Sequence, residues 1–230
     1  MILKYLFHPK VLIISLAAYL SIFSVSDGAD KEIRIQISRL SSGAPDGWKL
    51  KEWKGKSEFN VVDAEFGKAI NLKSNSSSSA LYRDVSFKLK EYPVIRWNWK
   101  VTALPKGADV RKKSTDDQAA QVYVIFPRFP ASINSRLVGY IWDTTAPAGT
   151  MLTSTKSSNT KYIVLRSGND GTGKWLTEQR NVYEDYRKLF KEEPPAVGSI
   201  SVMIDSDDTK SSAESFIGDI HFSRDINQSK

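Results

Sequence analysis

The chain has 230 residues, with 40% hydrophobic and 26% charged side chains, which excludes a disordered or low-complexity chain and leaves room for one large domain or two small ones. It contains no cysteine, so disulfide staples, thiolate metal sites and a lipidated-cysteine anchor are excluded. The formal charge of +7 is spread without blocks of like sign, which argues against nucleic acid and suits an anionic polysaccharide or an envelope surface.

Residues 11–25 (VLIISLAAYLSIFSV) carry no charge and follow Lys4 and Lys10, the order of a basic n-region and apolar h-region in a secretory signal. Small residues at Ser24 and Ser26 place cleavage at 26–29. The expected organisation is a signal peptide over 1–26, a single domain over 30–225 and a tail over 226–230. An uncleaved signal-anchor is the alternative, because the run is close to the minimum for a span. The membrane is then met only through that segment. The expected location is periplasmic or secreted. Lys4 and Lys10 account for two charges, so the remainder stands at about +5.

Ile33, Ile35 and Ile37 alternate with Arg34, Gln36 and Ser38, the pattern of a short strand. After the turn-rich 41–47, Trp48 and Trp53 flank a lysine-rich segment. Short strands are predicted at 60–63 and 69–73 around Glu65-Phe66-Gly67-Lys68. A serine-rich loop over 74–79 leads to another at 80–83. Residues 94–101 alternate most cleanly: Ile95, Trp97, Trp99 and Val101 share one face, and Arg96, Asn98 and Lys100 the other. Such a strand belongs to a sheet with one face in the core and one in water, hence an antiparallel one. Trp97 and Trp99 read as core or as a stacking platform for a ligand.

Asp116 and Asp117 open residues 116–126, predicted as the central strand. Ala120, Val122, Val124 and Phe126 point one way, Ala119, Gln121, Tyr123 and Ile125 the other. Further strands are predicted at 136–142, 161–166, 175–182, 199–205 and 216–222. Residues 183–190 have helical spacing (Tyr183, Tyr186, Leu189, Phe190) and stop before Pro194-Pro195. Short strands, one small helix and no internal repeat predict an all-β fold, a single antiparallel β-sandwich or jelly roll.

The histidines are His8 and His221, so no histidine cluster can hold a metal and a serine triad would have to use His221. Ile220 and Phe222 on the opposite face make His221 a strand-surface residue. The run Gly168-Asn169-Asp170-Gly171-Thr172-Gly173 lacks the lysine and the following helix of a phosphate loop. Carboxylates remain. Asp116 or Asp117 with Glu178 is the candidate acid and base pair for a glycoside. Asp205-Ser206-Asp207-Asp208-Thr209 has the acidic density of a calcium loop, but Lys210 and Phe216 stand where an EF-hand needs glycine and glutamate. The plain alternatives are a solvated acidic loop and, for Asp116-Asp117, a strand-entry turn capping backbone amides. A third candidate is the polar face of Arg96, Asn98, Lys100, Gln121 and Tyr123, which forms if strands 94–101 and 116–126 pair side by side. Register is not legible from sequence, so a plain solvated face stands beside it.

The chain resembles an exported bacterial family known as domain of unknown function 3047. The resemblance rests on Val94-Ile95-Arg96-Trp97-Asn98-Trp99-Lys100-Val101, on Asp116-Asp117 with the apolar 119–126, and on Tyr140-Ile141-Trp142. It continues through Trp175, Glu178, Arg180, Asn181-Val182 and Asp185-Tyr186, to the acidic run at 205–209 and Gly218-Asp219-Ile220, covering about residues 48–222. It implies one exported β-sandwich and supplies no activity. Gln118 and Phe216 depart from it, standing where tyrosine is expected. Gly218-Asp219-Ile220-His221-Phe222 is also similar to the last strand of carbohydrate-binding jelly rolls, which implies a structural Ca2+ near Asp219. The expected function is binding of a glycan or envelope component through the polar face. A polysaccharide-active enzyme and a structural periplasmic protein are the alternatives. Ca2+ on Asp205, Asp207 and Asp219 is the one cofactor candidate.

Overall fold

The computed structural model describes residues 32–38, 40–41 and 44–224. The signal-peptide and C-terminal-tail expectations lie outside the described residues. No helix among the described residues is long and apolar enough to cross a membrane.

The strands run β1 (Glu32–Ile35), β2 (Leu40–Ser41), β3 (Ala44–Pro45), β4 (Lys49–Lys54), β5 (Glu58–Ala64), β6 (Gly67–Asn75), β7 (Ser78–Phe87) and β8 (Val94–Ala103). They continue with β9 (Ala120–Phe126), the short helix α1 (Ala131–Asn134), β10 (Arg136–Asp143), β11 (Met151–Thr153), β12 (Thr160–Ser167) and β13 (Leu176–Asn181). Helix α2 (Val182–Phe190), β14 (Val197–Asp205) and β15 (Ser212–Ser223) complete the fold. One sheet has the order β13-β8-β15-β6-β5 with β1 beside β15. The other has the order β11-β12-β10-β9-β14-β7-β4. This is the expected all-β sandwich.

The core lies between the sheets because each strand turns its apolar alternate residues inward. Ile95, Trp97, Trp99 and Val101 of β8 meet Val122, Val124 and Phe126 of β9 and Tyr140 and Trp142 of β10. The Trp97 and Tyr140 rings lie 5.5 Å apart and those of Trp99 and Trp142 5.8 Å, so the indoles are core. Helix α2 plugs one end. Asn181 caps it by accepting from the Glu184 amide, and Tyr186 packs on Phe126 at 4.6 Å.

The seven-stranded sheet is also buried on its outer side. Tyr123, Ile125, Leu137, Ile141, Tyr162 and Val164 form a second apolar layer there, joined by Val110 and Ala146 from the connecting loops. Asp143, at the end of β10, fixes those loops: it accepts from the backbone amides of Val110 (2.9 Å), Thr145 (2.7 Å) and Ala146 (2.5 Å). Every residue of β9 is therefore buried, which is why the segment reads as nearly continuous apolar sequence rather than a clean alternation.

Three expectations about placement are corrected. The strand predicted at 116–126 begins at Ala120, because Asp116 to Ala119 form an irregular entry whose Gln118 carbonyl accepts from the Asp205 amide at 3.1 Å. Strands β8 and β9 are not neighbours. β8 pairs with β13 and β15, β9 with β10 and β14, and the two stack across the core. An apolar face can be covered by a facing sheet as well as by an adjacent strand, and alternation does not distinguish these. Finally, the sheet is not purely antiparallel: β10 and β12 pair in parallel, made feasible by the long return through β11. β4 and β11 were not predicted. β4 is mostly exposed and lysine-rich, and β11 is short.

Candidate functional site

The outer layer of the seven-stranded sheet is interrupted by a cleft. Its floor is built by alternation: Gln121 and Tyr123 of β9, Tyr162 of β12, and Ser201, Met203 and Asp205 of β14. Trp53 of β4 forms one wall; Ser154 and Lys156, from the connection between β11 and β12, form another, and Asp116 closes the end. The cleft is narrow, with a cavity volume of about 40 Å3, and the wider space between its walls is open to solvent.

Gly139 permits this floor. It pairs with Tyr123 on one side and Tyr162 on the other, and a Cβ there would stand 2.7 and 2.8 Å from their rings. Without it the tyrosines could not converge to the observed 6.2 Å. Burial pushes both phenols up, with the Asp116 and Asp205 carboxylates acting in the same direction, so both stay neutral hydroxyls at physiological pH.

The Tyr123 hydroxyl donates to Gln121 Oε1 and lies 3.4 Å from the Tyr162 hydroxyl. That bond fixes which end of the Gln121 amide faces Tyr123 and leaves Nε2 pointing elsewhere. Gln121 is only 1% exposed, yet Nε2 has no hydrogen-bond partner; the half-buried Trp53 Nε1 has none either. A buried donor left unmade costs about 1–3 kcal/mol, so two in one cleft mark where a ligand's acceptors would sit.

The acidic pair splits. Asp116 turns into the cleft, accepting from Gln118 Nε2 at 2.9 Å, with Lys156 Nζ 3.8 Å away. Lys156 also bonds the Asp208 carboxylate. Asp117 turns the other way and accepts from the amides of Asp208 (3.2 Å) and Thr209 (2.6 Å) and from the Thr209 hydroxyl (2.7 Å). It caps a turn, though one distant in sequence from its own strand.

Asp117, Asp205 and Asp207 come together, with one carboxylate oxygen from each within 4.8 Å of the others and every residue buried. Asp219 does not join them. Its Oδ1 accepts from the Ile37 amide at 2.7 Å, at a bulge of β15 in the other sheet. Nor does Glu178 meet Asp116 or Asp117. It points into the core, accepting from Trp99 Nε1 at 3.0 Å and Arg166 Nε at 2.6 Å, so β9 and its neighbours separate it from the cleft. The proposed acid and base pair is not assembled.

The expected five-residue polar face is divided for the same reason β8 and β9 are. Arg96, Asn98 and Lys100 lie on the outer side of the six-stranded sheet. Asn98 accepts from the Thr177 hydroxyl at 2.6 Å, and the Lys100 ammonium sits over the rings of Trp175 (5.0 Å) and Phe216 (4.4 Å). Arg96 shares a shallow polar depression with Glu32, Arg34, Asp219 and His221. His221 Nδ1 is 2.7 Å from Glu32 there. Gln121 and Tyr123 belong to the cleft instead. Sequence reasoning missed Trp53, Ser154, Lys156 and Tyr162. The alternation of 161–166 carried a signal for Tyr162; nothing marked Lys156, which arrives on an irregular loop.

Two stacked sheets with a polar, aromatic-walled cleft on the outer face of one define a β-sandwich domain with a candidate small-ligand site. The family described as "Protein of unknown function (DUF3047)" matches residues 46–221, and the chain belongs to that family. No curated protein matches its sequence. Among solved structures it is similar to the family 30 carbohydrate-binding module of the cellulosomal cellulase Cel9D-Cel44B of Clostridium thermocellum, at 10% identity over 85% of this chain and 99% of that one, TM-score 0.47. It is similar to the family 11 carbohydrate-binding module of the cellulosomal cellulase Lic26A-Cel5E of Clostridium thermocellum, at 9% identity over 83% and 93%, TM-score 0.46. The endoglucanase Cel12A from Rhodothermus marinus aligns at 8% identity over 83% and 99%, TM-score 0.46.

Proposed function

We propose that this domain is a glycan-binding module whose site is the cleft over Gln121, Tyr123 and Tyr162, rather than the outer face of the six-stranded sheet. The observation that carries this is the Gln121 amide. Its carbonyl is engaged by Tyr123, and its buried NH2 is unpartnered at the cleft floor. A saccharide supplies both features such a site lacks: hydroxyl oxygens that accept from Gln121 Nε2 and Trp53 Nε1, and C–H faces that lie against aromatic rings. Its hydroxyls can donate in turn to the Asp116 carboxylate and to the Ser201 and Ser154 oxygens. The leader-like N-terminus supports a periplasmic or secreted setting, where envelope or extracellular glycan is the available ligand class.

The test is a saccharide array followed by titration of any retained ligand against variants. Wild type is expected to retain at least one glycan class. Gln121→Leu, similar in volume and without the amide, is expected to weaken it about 10- to 100-fold. Asn98→Ala should bind as wild type does. No retained glycan, or equal losses from Asn98→Ala and Gln121→Leu, would sink the reading.

A further inference from the structure

We propose that Asp117, Asp205 and Asp207, with the Ser78 hydroxyl, form a binding site for a Ca2+-class divalent cation at the end of the cleft. This site does not depend on the glycan reading.

The donor set is all oxygen and all buried. The three carboxylates come from the entry to β9, the end of β14 and the turn after it, and are 0%, 3% and 4% exposed. One oxygen from each carboxylate lies within 4.8 Å of the other two, the span that fits around a cation with Ca–O distances of about 2.4 Å. Desolvated like charges at this spacing favour either a shared proton or a bound cation.

An independent observation favours the cation. Ser78, at the start of β7, is fully buried and its Oγ has no hydrogen-bond partner. Ser78 pairs in register with Asp205, and cross-strand partners project from the same face, about 5 Å apart at Cβ. The orphan hydroxyl thus stands beside the triad on its own side of the sheet. Lys54 also pairs with Ser78 and brings its ammonium to 3.6 Å from Asp207, but its side chain is 59% exposed and free to withdraw. Asp117 is already oriented by its bonds to Asp208 and Thr209; Thr209 occupies both lone pairs of Oδ2, and Oδ1, which accepts only the Asp208 amide, keeps one for a metal. A cation here ties β7, the entry to β9, the end of β14 and the 206–209 turn together.

The test uses the purified full chain after chelation, without glycan. CaCl2 titration by calorimetry is expected to show one equivalent bound and to raise Tm over the EDTA-treated protein. Tb3+ in the same site should give tryptophan-sensitised emission, since Trp53 and Asp205 share the cleft. Asp207→Asn should weaken Ca2+ binding at least about tenfold, whereas Asp219→Asn should leave it unchanged. Ser78→Ala, which keeps every carboxylate, gives a second weakened variant should Asp207→Asn not fold. Folded wild type with no heat, no sensitised emission and the same Tm in EDTA and CaCl2 overturns the proposal. So does binding that survives Asp207→Asn and Ser78→Ala intact, or a Tm that rises only as pH is lowered, which assigns the triad a proton.

Discussion

Tyr123 and Asp109 show how single side chains set this surface. Tyr123 holds the Gln121 amide by its carbonyl, so Tyr123→Phe should free the amide to reorient and leave Oε1 unpaired. The expected result is a stability loss of about 1–2 kcal/mol by chemical denaturation together with weakened saccharide binding; unchanged binding would detach Tyr123 from the site. Asp109 anchors the loop that carries Val110 onto the outer layer. Its carboxyl is held down to about 2, chiefly by the Arg111 side-chain hydrogen bond and against the opposing effect of burial. A depressed folded value means the ionised group contributes its full stability above its unfolded value near 3.9, and loses it as pH falls through about 2. Asp143 acts in the opposite sense: burial raises its carboxyl, so its penalty on folding is relieved as pH falls. Asp109→Asn should therefore lower Tm at pH 7 and flatten the fall in Tm between about pH 4 and 2. An acid limb as steep as that of wild type would contradict this.

At the scale of elements, alternation made much of the sandwich readable. The β8 pattern put Trp97 and Trp99 on one face, core or ligand platform, and the structure makes them core; the helical spacing of 183–190 matches α2. What alternation could not carry is which strand lies beside which, and that error separated Gln121 and Tyr123 from Arg96 and Asn98. It could not reveal Asp117 beside Asp205 and Asp207 either, since about ninety residues of chain separate them and they are joined only in the folded chain, by the β9–β14 pairing and the bonds from Asp208 and Thr209 to Asp117. The Asp205 and Asp207 pairing was legible because it is local. Two substitutions probe the elements. Gly139→Ala puts a methyl between the Tyr123 and Tyr162 rings and should cost about 1–3 kcal/mol while distorting the cleft floor. Asp185 accepts two bonds from Arg180 (2.9 and 2.6 Å) and one from the buried Tyr140 hydroxyl (2.9 Å), pinning α2 to β10 and β13. Asp185→Ala leaves both partners unsatisfied and should cost about 3–5 kcal/mol in urea unfolding. A loss below about 1 kcal/mol would mean the helix is held by packing alone.

Across the whole molecule, the two sheets differ in what they do with their outer faces. The six-stranded sheet keeps a solvated face where Lys100, Trp175 and Phe216 satisfy one another and Asn98 is bonded to Thr177. The seven-stranded sheet covers its outer face with loops except at the cleft, and there two buried donors remain unpaired. The proposed glycan site lies on the seven-stranded side, although the buried Trp97 Nε1 beside the depression on the other sheet also lacks a hydrogen-bond partner. That placement is tested most directly by two-dimensional NMR of side-chain N–H groups as a retained saccharide is added to the wild-type chain. The Gln121 NH2 pair and the Trp53 indole N–H are expected to shift in a saturable, concentration-dependent way, with the Asn98 NH2 pair unmoved. Shifts confined to Asn98 and its neighbours, with Gln121 and Trp53 unchanged, would contradict the assignment.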